Sequence, residues 1–264
     1  MGDELAGQIA VLTGAAAGIG RGIAVELAKA GADICIFDLK PGEQAAALME
    51  ELRQFDVRSL YVSGDVSRRE DVQALADAVE STLGPASIVV SNAITSERRP
   101  FLDTPFDELS RAVEVGIYGA FHVLQVFARR MVQNHIAGTM IQLTSPWAYL
   151  PYPGGMDYRI VKSAQHNMAL SLATELMWNG IRVNLVEPGW VDTPGEHRWY
   201  SDDMLKAGGQ ALPFRRLCTP EDVGRAVAFV CREPYMTGAH IKIDGGLSHT
   251  VYSQQLELPR QNSR

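Results

Sequence analysis

Short apolar runs alternate with longer amphipathic stretches along almost the whole chain. Residues 8–13, 33–37, 59–62, 87–91, 139–144, 182–186 and 240–243 read as strands. Stretches 19–31, 43–55, 70–83, 106–134, 157–178 and 220–231 repeat their apolar positions every three to four residues, as helices with one buried face do. Runs such as Ile88, Val89 and Val90, or Met140, Ile141 and Leu143, are mostly apolar rather than alternating. That is the pattern of strands covered by helices on both sides. The predicted fold is α/β, a doubly wound parallel sheet of about seven strands with right-handed crossovers.

Two segments break the rhythm. Residues 190–213 show no clear period and are rich in Gly, Pro, Trp, Tyr and His. A loop of that length inside a compact domain is usually functional, and a substrate lid is expected. Residues 251–264 form a polar tail with Pro259, expected to be disordered or to reach across to another subunit. No repeat, low-complexity tract or linker divides residues 1–250, so one domain is expected there.

The net charge is −7 over 264 residues, and there is no long basic run, which argues against nucleic acid or an anionic membrane as partner. No signal peptide and no run of 18 apolar residues appears. Cys35, Cys218 and Cys231 have no metal-ligand spacing and are expected to be buried, reduced thiols of a cytoplasmic protein. His122, His135, His166, His240 and His249 are scattered, and no metal site is expected from them.

The chemistry concentrates in two places. The first is a glycine-rich turn, Gly14, Gly18, Ile19 and Gly20, between the first strand and the first helix. Glycines there let the backbone approach a pyrophosphate, and the helix start adds unpaired N–H groups. This turn makes the predicted sheet Rossmann-type and dinucleotide-binding. Asp38 closes the second strand, where a carboxylate accepts both adenosine ribose hydroxyls and repels a 2′-phosphate. Ala17 and Leu39 offer no arginine for such a phosphate, so NAD is expected over NADP, with Arg21 and Lys40 as the opposing charges. The second place is Tyr158 with Lys162 four residues on, along one helix face, and Ser145 thirteen residues upstream. A phenol beside an ammonium can exchange a proton nearer neutral pH than a lone tyrosine at about 10.

With these motifs in this order, the chain resembles the short-chain dehydrogenase/reductase family over nearly its whole length. Further points of resemblance are Asp65 with Val66, Asn92 with Ala93, and Pro188, Gly189, Trp190, Val191, Asp192 and Thr193. So are Tyr235 to Gly238, leading to Asp244, Gly245 and Gly246. The resemblance implies an oxidoreductase that moves a hydride between a nicotinamide and a secondary alcohol or ketone. Tyr158 would exchange the substrate proton, Lys162 would hold the nicotinamide ribose and lower the tyrosine pKa, and Ser145 would bond the substrate oxygen. Asp65, Val66, Asn92 and Ala93 would contact the adenosine end, and Pro188, Gly189, Val191 and Thr193 the nicotinamide end. It also implies a homotetramer built on the long helices.

Two positions depart from the family pattern. Gly116 stands where the family carries an asparagine in the long helix, and Ile94 where it carries a glycine after Asn92 and Ala93. The asparagine is credited with a helix kink and a water near the lysine. Gly116 can bend a helix but offers no amide, so a weakened proton relay and a low rate are expected. A weakly catalytic dinucleotide-binding sensor or scaffold is therefore a second reading, and a ketoreductase acting on an acyl or steroid-like ketone a third. For the substrate pocket, Trp147, Tyr149, Tyr152, Glu196, His197 and Trp199 are the candidates. The stretch from Pro188 to Glu196 resembles that of bacterial glucose 1-dehydrogenases, which implies a sugar or cyclic polyol.

Overall fold

The computed structural model describes residues 4–39 and 41–250; the expected tail over 251–264 and Lys40 lie outside the described residues. The first half of the chain runs β1 (Ile9–Thr13), α1 (Gly18–Lys29), β2 (Asp33–Asp38), α2 (Glu43–Leu52), β3 (Ser59–Ser63), α3 (Arg69–Thr82) and β4 (Ile88–Ser91). Then come α4 (Phe106–Val113), a π-helical turn (Glu114–Tyr118), α5 (Gly119–Gln133), β5 (Thr139–Leu143) and α6 (Met156–Leu176). The chain continues through β6 (Arg182–Pro188), α7 (Asp202–Ala211), α8 (Pro220–Arg232) and β7 (His240–Ile243).

All seven strands are parallel, in the order β3-β2-β1-β4-β5-β6-β7. Every residue of β1 and β5 is buried, because successive side chains feed two separate cores. Ala10, Leu12, Ile34 and Ile36 pack with residues of α1, α2 and α8. Val11, Cys35, Phe37, Val89 and Met140 pack with residues of α3, α5 and α6. The order of strands reverses between β1 and β4, and a ligand crevice opens beyond the strand C-termini at such a point. Among the described residues no helix is long and apolar enough to cross a membrane.

Three expectations are corrected. The segment 190–213 is not irregular throughout, because α7 occupies half of it. Ser201 caps this helix by accepting the Met204 N–H, and Asp202 and Asp203 favour its first turn. Gly208 and Gly209 hide the helix from a pattern search. Gly208 is needed because a Cβ there would lie 2.4 Å from the Trp190 ring. The long helix expected over 106–134 is interrupted by the π turn. Cys35 and Cys231 are buried as expected, but Cys218 is only half-buried.

Candidate active site

The glycine turn and the end of β4 meet at the β1/β4 reversal. Gly14 and Gly18 have φ of 60° and 54°, the left-handed region that favours glycine. A Cβ on Gly14 would lie 2.8 Å from the Ala93 Cα, and one on Gly18 would touch Thr193 at 3.4 Å. The turn thus lies between the two segments expected at opposite ends of a dinucleotide. Ala17 begins α1 without a side-chain cap, and no acidic residue occupies the first turn. An uncapped helix start beside a cradle that a Cβ would fill suits a pyrophosphate. Ile19 and Gly20 belong to that first turn of α1.

Asp38 sits at the rim of this turn. Its carboxylate accepts the Ala16 N–H at 3.0 Å and the Leu39 N–H at 2.8 Å. Arg21 is occupied elsewhere, paired with Glu51 at 2.7 Å and Glu221 at 3.1 Å. Asn92 and Asp65 hold protein partners. The Asn92 amide donates to the carbonyls of Thr13 and Gly14 at 3.0 and 2.8 Å, stitching the glycine turn to β4. Asp65 accepts from Ser67 and is paired with Arg111 at 2.6 Å. Burial raises its carboxyl pKa, but the bonds from Arg111 and Ser67 outweigh this and leave it below the usual range. Val66 is buried, and its carbonyl is 3.1 Å from His122 Nδ1. Pro188 closes β6; the Gly189 N–H bonds the Ile243 carbonyl at 3.0 Å, and Val191 is buried.

Ser145 follows β5 and is buried. Its hydroxyl accepts the Trp147 N–H at 3.3 Å and stands near the Tyr158 phenol, whose pKa it lowers. Lys162 is buried one helical turn beyond Tyr158, its Nζ 5.7 Å from the tyrosine ring centroid. That Nζ donates to the Leu143 carbonyl at 2.6 Å and to Gln165 Oε1 at 3.0 Å. Gln165 Nε2 in turn donates to the Gly116 carbonyl at 2.7 Å. A side-chain amide therefore does stand next to the lysine, supplied by α6 instead of the long helix. Sequence reasoning missed Gln165, although a polar residue three positions after Lys162 on a buried face was a usable signal.

The expected electrostatics are reversed. Burial raises the Tyr158 pKa; the Ser145 hydroxyl opposes this, Glu196 adds to it and Arg98 subtracts from it. Burial pulls Lys162 down to about 7. An amine so readily neutralised is a weak source of positive potential, so the phenol is not made acidic by its neighbour in the protein alone.

The substrate-side residues fall into two groups. Glu196 accepts the Trp190 indole N–H at 2.7 Å and pairs with Arg98, whose guanidinium lies 5.2 Å from the Tyr200 ring centroid. Arg198 pairs with Glu97 at 3.1 Å and lies over Trp199. These contacts tie the 196–200 segment to the loop after β4. Trp147 rests against Tyr152 at 4.9 Å between centroids. His197 is held by Asp192 at 2.8 Å and Asp202 at 3.0 Å, and the Asp192 bond raises its pKa. Tyr149, expected in the pocket wall, is tied by its hydroxyl to a buried carboxylate. Its hydroxyl donates to buried Glu187 at 2.8 Å, and its ring meets His166 edge-on. The histidines are also less scattered than their spacing suggested, since the rings of His166 and His240 are 4.5 Å apart.

The family described as enoyl-(acyl carrier protein) reductase matches residues 14–248. L-rhamnose 1-dehydrogenase (NAD(P)(+)) of Sphingomonas sp. (strain SKA58) is 30% identical over 92% of this chain and 97% of its own. The 7alpha-hydroxysteroid dehydrogenase of Escherichia coli (strain K12) is also 30% identical, over 92% and 95%. The crystal structure of a short-chain type dehydrogenase/reductase from Mycobacterium marinum superposes with a TM-score of 0.83 at 28% identity, covering 92% and 96%.

Gly116 carries a testable consequence. A Cβ there would lie 2.3 Å from Val161 Cγ1, on the helix that holds Lys162. Gly116→Ala is expected to destabilise the protein by about 1–3 kcal/mol through overpacking, and Gly116→Asn by at least as much. Urea unfolding measures this; an unchanged midpoint would mean that α6 yields freely at Val161.

Proposed function

The chain belongs to the short-chain dehydrogenase/reductase family, and from that premise we propose an NAD-dependent oxidoreductase interconverting a secondary alcohol and its ketone, with a sugar or cyclic polyol as substrate. One observation carries the reading: Tyr158 stands close enough to Ser145 for the serine hydroxyl to act on its phenol, one helical turn from the buried amine of Lys162. NAD is favoured because Asp38 presents a carboxylate at the glycine turn while Arg21 is held by two glutamates. The sugar is favoured by the rhamnose-oxidising relative and by the polar lid formed by Arg98, Glu196, Trp190 and Tyr200.

In the oxidative direction the Tyr158 oxygen takes the alcohol proton while the Ser145 hydroxyl donates to the same oxygen as charge grows on it. When bound, the nicotinamide supplies the hydride acceptor. Lys162 would hold the nicotinamide ribose, with Gln165 and the Leu143 carbonyl fixing its amine. Gly189, Val191 and Thr193 would line the nicotinamide end, and Val66 and Ala93 the adenosine end. Gln165 is a positioning residue, linking the amine to the π turn and compensating for the missing asparagine. Assembly as a homotetramer belongs to the same reading. The groove on the outer faces of α5 and α6, lined by Phe121, Leu124, Val132, Met168, Leu172 and Leu176, would be covered by a second copy.

Tyr158→Phe is expected to keep NAD binding and lose NADH formation across a panel of sugars, polyols and hydroxysteroids. Turnover retained by the variant would move the proton step to another group, and turnover on steroids alone would reassign the substrate. The raised Tyr158 pKa keeps the phenol protonated at neutral pH, so ketone reduction proceeds there while alcohol oxidation keeps climbing through the alkaline range. A plateau of the oxidation rate below pH 8 would contradict this order. Gln165→Leu leaves a buried donor with one acceptor fewer, a loss of about 1–3 kcal/mol. It is expected to lower kcat more than KM and to displace the pH profile; an unmoved profile would reduce Gln165 to packing. Light scattering should give four times the protomer mass, falling with Phe121→Asp; a wild-type monomer would remove the tetramer from the proposal.

A further inference from the structure

On the α6 side of the last two strands, three side chains converge on one point. His166 comes from α6, Glu187 from β6 and His240 from β7. One ligand atom from each lies within 4.8 Å of the others. Glu187 Oε1 is 3.3 Å from His166 Nδ1 and 3.8 Å from His240 Nδ1. The Glu187 side chain is 1% exposed, yet Oε1 has no hydrogen-bond partner, and neither has the buried His166 Nδ1. Two buried polar atoms left without partners and facing the same point are costly unless something completes them.

The neighbourhood narrows what that something is. Glu187 Oε2 already accepts the Tyr149 hydroxyl at 2.8 Å, so the carboxylate is oriented with a single oxygen turned to the histidines. Lys242 pairs with Glu187 in the strand register, but its Nζ lies over the Tyr149 ring at 5.5 Å. Two imidazoles and one carboxylate oxygen are the donor set of zinc-type first-row ions rather than of magnesium or calcium. Around a tetrahedral ion with bonds of about 2.0–2.1 Å, ligand atoms stand about 3.3–3.4 Å apart. The His166–Glu187 pair has that separation, and the half-exposed His240 nitrogen stands a little further out, 3.8 Å from Glu187.

We propose that His166, Glu187 and His240 form a binding site for a divalent first-row transition-metal ion, with Tyr149 holding the carboxylate from behind. Three protein ligands leave one coordination position to water, on the open His240 side. The ion ties β7 to α6 and, through Tyr149, to the segment that follows Ser145. Its role is to brace the rim of the candidate active site.

Tag-free, metal-depleted protein should bind one Co2+ per protomer with the visible spectrum of a four- or five-coordinate ion, and Zn2+ should displace it. Zn2+ should raise the melting temperature as ligand linkage requires, and Mg2+ should not. Glu187→Gln and the exposed His240→Ala should each weaken Co2+ binding at least tenfold. His240→Ala lies at the sheet edge, so its circular dichroism should match wild type and separate lost binding from lost folding. The site is refuted if wild type binds Co2+ no better than His240→Ala, or if Mg2+ stabilises as well as Zn2+.

Discussion

The arrangement turns on the place found for the Lys162 amine. A long cationic side chain is drawn inside the protein, where desolvation pulls its pKa to about 7, and it is kept there by two acceptors from different elements. The Leu143 carbonyl is the last of β5 and Gln165 lies one turn further along α6. Gln165 then reaches the Gly116 carbonyl in the π turn. One amine thus fixes the height of α6 against the sheet edge and against the long helix. That height sets the position of Tyr158 and its distance from Ser145. π turns recur at functional sites, and here a carbonyl of the turn accepts a bond from a glutamine.

The alternation of strands and helices, the glycine turn and the Tyr158–Lys162 pair were all legible, because each is a local pattern with its own period or spacing. The sheet follows from unbroken apolar runs, since a strand buried on both faces has no polar side to show. What was not legible depends on contacts between distant segments. Helix α7 escaped because its two glycines answer to distant neighbours, Gly208 to the Trp190 ring and Gly209 to the backbone of Arg216 and Leu217, a tertiary demand that overrides helix propensity. The π turn escaped because Gly116 could be read only as a bend without an amide. Its meaning lies in Val161, 45 positions away, whose methyl occupies the space a Cβ would need. The burial that raises the Tyr158 pKa is likewise a property of the assembled cleft. Spacing alone suggested the opposite sign.

Tyr149 illustrates how a site can be divided. From the sequence it was one of several aromatics after Ser145 with an equal claim on substrate. In the fold its hydroxyl serves Glu187, while Trp147 and Tyr152 rest against each other at a tilt. The rim segment therefore has two faces with different chemistry. One is aromatic and looks toward the lid, and the other joins the polar cluster between α6 and β7.

The proposed preference for a hydroxyl-rich ligand rests on electrostatics at the lid side. Arg98 and Glu196 both act on the Tyr158 pKa, so their charges stand within reach of the reacting oxygen. A flat apolar ring lying there would strip water from this ion pair and return no hydrogen bonds. The desolvation of paired charges is repaid only where the remaining lone pairs and N–H groups find partners. A sugar or polyol offers such partners at several positions. The Trp190 indole is already bonded to Glu196, which leaves the carboxylate fixed rather than free to swing aside for an apolar guest. The two charges also pull the tyrosine in opposite directions, Glu196 raising its pKa and Arg98 lowering it. In the proposed reading, a substrate that inserts its hydroxyls between them would alter that balance, and recognition and proton transfer would act through the same pair of side chains.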